Sequence, residues 1–70
     1  MKLSARNALK GKVKDVKKGA VAAEVVVDIG GGHTVTATIT VGSVERLGLK
    51  PGMAATAVIK ASDVMIAVED

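Results

Sequence analysis

The stretch ITVGSVERLGLKPG, Ile39–Gly52, decides the fold, because it takes the chain out of one strand, through a short helix and into another strand. Ser43 is read as the helix N-cap, where a hydroxyl accepts from otherwise unpaired N–H groups. Glu45 then falls in the first turn, where negative charge suits the positive end of the helix dipole. Gly48 suits the left-handed position that ends a helix, and Leu49 is the apolar residue that follows such a glycine. Pro51-Gly52 makes the next turn.

Upstream of this stretch the period is two. His33, Val35, Ala37 and Ile39 alternate with Thr34, Thr36, Thr38 and Thr40, the pattern of a half-buried strand. Gly30-Gly31-Gly32 connects it to a preceding strand, since glycine reaches positive φ without steric cost. That preceding strand places Val21, Ala23, Val25, Val27 and Ile29 on one face, with Glu24 and Asp28 opposite. Earlier still, Leu9, Gly11 and Val13 alternate and Val16 falls out of phase, which predicts a bulge or sharp bend. Lys17-Lys18-Gly19 reads as the turn that follows. Downstream, Met53–Lys60 and Val64–Val68 read as two more strands, broken at Ala61-Ser62-Asp63. The sequence therefore predicts an all-β domain over residues 1–70: a five-stranded OB-like barrel with one short helix between strands three and four. An SH3-like barrel is the alternative architecture.

Composition narrows the function. The 70 residues make one domain, and they contain no cysteine, so neither a disulfide nor a thiolate metal site can staple it. Phe, Tyr and Trp are absent as well, so the core is aliphatic. With 49% hydrophobic residues the chain is too apolar for a disordered tail, and part of that surface is expected to be buried between subunits. No apolar run approaches the ~20 residues of a membrane span. The start, with Lys2, Ser4 and Arg6, is unlike a signal peptide, so a cytoplasmic location is expected. The formal net charge is +3, and the basic run Lys10–Lys18 reads as a solvated strand face.

Two function classes fare badly. OB barrels that bind single-stranded nucleic acid stack bases on aromatic rings, and this chain has none other than His33. Nucleic-acid binding is thus only the alternative reading. Enzymatic chemistry has one histidine, no cysteine and no paired carboxylates to work with; His33 reads as a strand-end residue and the methionines as core. The triple glycine lacks the following Gly-Lys-Ser/Thr of a phosphate loop and joins two strands. No catalytic residue, metal ligand or cofactor is expected.

What remains is a set of donors. Arg6 offers a planar fork with permanent charge, and Lys60 a compact charge with three donors. Ser4, Thr40, Ser43 and Ser62 add hydroxyls, and Ser43 lies where backbone N–H groups favour an anion. Arg6 is also placed to pair with Asp63 or Glu69, and Ser43 would cap its helix with no ligand at all.

Three segments in order, SARN (Ser4–Asn7) with LKGKV close behind, ITVGSVERLGLKPG, and IKASDVMIA (Ile59–Ala67), resemble the molbindin, or Mop-like, family. The resemblance spans essentially the whole chain. It implies an OB-like barrel that binds molybdate, and tungstate, in the cytoplasm as a store. It implies a homohexamer, a trimer of dimers, with the anion held between subunits. Carried over by position, it implies Ser4, Arg6, Lys60, Ala61 and Ser62 for one half of a site and Thr40, Val41 and Ser43 for the other. Molybdate is a tetrahedral dianion without a proton at neutral pH, so a donor-only site suits it; Asp63 is expected to point away.

Overall fold

A computed structural model describes Lys2 and residues 4–69. The described residues form four strands and one helix: β1 (Asn7–Lys18), β2 (Ala22–Gly30), β3 (His33–Thr40), α1 (Val41–Leu47) and β4 (Ala54–Ile59), followed by a 3-10 turn at Ala61–Asp63. The strands make one antiparallel sheet in the order β3-β2-β1-β4, curled into an open half-barrel. The mostly β character and the helix between strands three and four agree with the sequence. The fifth strand does not: residues 64–69 belong to no strand, and Val64, Met65, Ile66 and Val68 are exposed.

β1 divides its length between two neighbours. Asn7–Lys12 pairs with β4, and Lys12–Lys18 pairs with β2. The change falls at Lys12, and at the adjacent Gly11 a Cβ would overlap the Asp28 carbonyl oxygen, so only a residue without a side chain lets the backbones approach this closely. The register slips between Val13 and Asp15, which places a bulge at Lys14. That extra residue returns Val16 to the inner face, as the phase break in the sequence predicts. The turn lies later than the sequence reading had it. Lys17 and Lys18 still pair with Glu24 and Ala23, and Gly19 N–H donates to the Ala22 carbonyl at 2.8 Å.

The helix also starts earlier than expected. β3 passes straight into α1, and Thr40, not Ser43, is the N-cap: its Oγ1 accepts from Ser43 N–H at 3.0 Å. Ser43 is therefore inside the first turn and Glu45 is beyond it. The physical reason lies in the sheet. Val41 N–H is already taken by the Val21 carbonyl at 2.8 Å, so the turn begins directly against β2. The C-terminus follows the sequence reading. Gly48 is left-handed (φ 65) and donates to Glu45 O, while Leu49 N–H reaches Val44 O at 3.1 Å.

Val13, Ala23, Val25, Val27 and Val44 form the buried core, with Val16, Ile29, Ile39, Val41, Leu49 and Ala55 packed against it. α1 contributes through Val44 alone among its buried positions. Because the sheet is open, its two edge strands face each other across a cleft of about 730 Å³. Val35 and Ile39 of β3 line one side, Ala57 and Ile59 of β4 the other, and Val13 and Val25 the floor. Among the described residues, no helix is long and apolar enough to cross a membrane.

Candidate functional site

The sheet register gathers the sequence candidates into two groups. Asn7 pairs with Ile59, and its side-chain Nδ2 also donates to the Ile59 carbonyl at 3.2 Å. This double tie holds Ser4, Ala5 and Arg6, which lead into β1, beside Lys60, Ala61 and Ser62, which lead out of β4. Ser4, Arg6, Lys60, Ala61 and Ser62 are all exposed. None of their side chains makes a hydrogen bond among the described residues, so neither Asp63 nor Glu69 accepts one from Arg6. In the turn, Asp63 N–H donates to Lys60 O at 2.9 Å and Val64 N–H to Ala61 O at 3.3 Å. The turn has no side-chain cap, and the Ala61 and Ser62 N–H groups make no bond among the described residues. Arg6 and Lys60 thus flank the Asn7–Ile59 pair directly, with Ser4, Ala61 and Ser62 one or two residues further along the chain. Asp63 is exposed in the same turn and accepts from none of these donors.

The second group lies at the other end of β1. Thr40 pairs with Ala22, next to the Lys18–Ala23 pair, whereas Asn7 opens the strand. β1 has 12 residues, a contour of roughly 36 Å at about 3.3 Å per residue before the bulge and the curl of the sheet shorten it.

Within this group the hydroxyls are ordered. Thr40 Oγ1 accepts the Ser43 amide and donates its proton to Ser43 Oγ at 2.8 Å. The two hydroxyls are thereby held against each other at the start of α1. Sequence reasoning passed over Gly42. Its N–H makes no bond among the described residues, and nothing but Thr40 Oγ1, at 3.9 Å, lies near where a Cβ would stand. The signal was present as a glycine directly after Thr40-Val41, in a turn whose early N–H groups lack helical partners. His33 lies exposed at the start of β3, opposite Gly30, far from both groups in the register. No cluster of three metal-ligating residues occurs among the described residues.

The curled sheet, the strand-to-helix passage and the two donor groups define a small β-domain. The chain belongs to the TOBE domain family, whose description matches residues 3–66. "Molybdenum-pterin-binding protein 3" of Clostridium pasteurianum is 61% identical over 66 residues, 94% of this chain and 97% of the relative. Among solved structures, a molybdate-binding protein from Sporomusa ovata superposes with a TM-score of 0.90 at 41% identity, covering 97% of this chain and all of that one. The cytoplasmic molybdate-binding protein ModG, with molybdate bound, superposes with a TM-score of 0.89 at 52% identity, covering 93% of this chain and 46% of that one.

Proposed function

We propose that this chain is a cytoplasmic binding protein for molybdate and tungstate, serving storage and homeostasis of the oxyanion and catalysing nothing. One observation carries the reading: two donor-rich corners stand at opposite ends of β1 in a chain whose relatives include a molybdenum-pterin-binding protein and two molybdate-binding proteins. Ser4, Arg6, Lys60, Ala61 and Ser62 of one subunit form half of the site. Ser43, the Gly42 and Val41 backbone and Thr40 of another subunit form the rest, with Thr40 orienting Ser43. The halves lie at opposite ends of β1, and the site is intermolecular, as the family resemblance implies.

The donor chemistry fits a proton-free dianion. Charge-assisted bonds from Arg6 and Lys60 are about twice as strong as neutral ones. Hydrogen phosphate, which carries a proton near neutrality, is disfavoured where no acceptor faces it. Sulfate has the same charge and shape, so the size of the assembled pocket separates it from molybdate. With no aromatic ring to stack on a pterin, the bare oxyanion is the ligand that fits.

The assembly is a homohexamer, a trimer of dimers, and the barrel's fifth strand is Val64–Val68 supplied by a partner. Two features support this. Each chain has one unfilled cleft between β3 and β4 and one unseated apolar segment, with Ile66 87% and Val68 85% exposed. Val64, Ile66 and Val68 alternate as an inward-facing strand would. A reciprocal exchange between two copies satisfies both, and it pairs edges that otherwise stay open.

Calorimetric titration with molybdate, tungstate, sulfate and phosphate at constant ionic strength tests the reading. Molybdate and tungstate are expected to give saturable heats, sulfate weaker ones and phosphate none. Absence of a saturable molybdate signal at micromolar protein overturns it.

A further inference from the structure

We propose that the Lys60–Asp63 turn is the hinge through which subunits are exchanged, and that an oxyanion bound there locks it. The inference rests on the intersubunit site and the exchanged Val64–Val68 strand proposed above. It concerns what happens when both share one short connection.

Only four residues, Lys60 to Asp63, separate the last residue of β4, Ile59, from the first residue of the exposed segment, Val64. Ile59 is fixed to Asn7 by the sheet and by the Asn7 side chain. The segment beyond Asp63 touches so little of its own chain that Met65 is 92% exposed. Any swing of that segment from one seat to another is therefore absorbed by the dihedral angles of Lys60–Asp63. Inside the turn two backbone bonds hold the shape, Asp63 N–H to Lys60 O and Val64 N–H to Ala61 O, the second a long 3.3 Å. No side chain caps it. The hinge is thus lightly restrained when empty.

The same four residues carry Lys60, the Ala61 and Ser62 amides and the Ser62 hydroxyl. An anion that accepts from these groups, from Arg6 beside them and from the partner's Ser43 fixes the hinge dihedrals and joins both chains at once. Opening the exchange then requires losing the anion first. The exchange rate falls in proportion to the fraction of sites that are empty, roughly a hundredfold for one site when free anion is one hundred times its dissociation constant.

Subunit mixing reads this directly. Unlabelled and 15N-labelled protein are combined and the mixed oligomers followed by native mass spectrometry, in buffer alone, with sodium molybdate, or with sodium sulfate at equal ionic strength. The same spectra record bound molybdate as discrete mass increments. The expected result is mixing within the oligomer that slows roughly tenfold or more with molybdate, and much less with sulfate. Molybdate increments with an unchanged mixing rate overturn the locked hinge while leaving the binding function intact. Oligomers that never carry molybdate overturn the binding function itself. A monomer under all conditions overturns the exchange on which the hinge depends.

Discussion

Arg6 and Lys60 reach the same corner from opposite ends of the sequence because one cross-strand pair, Asn7 with Ile59, sets their register. Neither is neutralised by a hydrogen-bonded carboxylate among the described residues. Two unneutralised cations side by side repel each other, and an anion between them relieves that. Replacing either by alanine leaves anion oxygens without a charged donor, so Arg6→Ala and Lys60→Ala are each expected to weaken molybdate affinity by about tenfold or more. Lys14, at the bulge of β1, is exposed and remote from this corner in the register. Lys14→Ala is expected to change affinity by less than about twofold, since an exposed distant charge is screened by salt. Equal losses in titrations of all three variants would mean that overall positive charge, and no formed site, holds the anion.

At the scale of elements, the alternation of β2 and β3, the bulge in β1 and the glycine end of α1 were legible in the residues themselves. Each depends on contacts within a few positions. The helix start was not. Thr40 and Ser43 are both good caps three residues apart, and what decides between them is the bond from Val41 N–H to Val21 O, made by a residue 20 positions away. The second strand-break and the donors around it were legible as types of residue, yet their pairing with Arg6 required the register of β1 against β4. The segment Val64–Val68 has the pattern of a strand, but a strand exists only beside a partner, and within its own chain it pairs with neither edge of the sheet. If a neighbouring chain supplies that partner, a charge in the buried row should prevent docking. Ile66→Asp is expected to sediment as a smaller species than the parent protein, with β1–β4 intact by circular dichroism. An unchanged sedimentation coefficient would show that the segment contributes nothing to assembly.

Across the whole molecule, the sheet is sewn together from pairings of very different reach. The β2–β3 hairpin closes over two glycines, whereas the β1–β4 ladder joins Asn7 to Ile59, 52 positions apart. Non-local pairings form late because chain entropy is lost before their contacts are gained. The order of events during refolding follows from this difference. The β1–β2–β3 meander forms first, and β4 docks afterwards, bringing Lys60 and Ser62 to Arg6 only at the end. A ligand that needs that corner finds nothing to hold in the transition state. Molybdate is therefore expected to leave the refolding rate in stopped-flow experiments unchanged and to act entirely on the unfolding limb, slowing it. A faster refolding limb in its presence would place β4 in the nucleus. Loading with the anion would then make the protein long-lived without making it quicker to fold, so that its persistence is set by how much of the ion its surroundings contain.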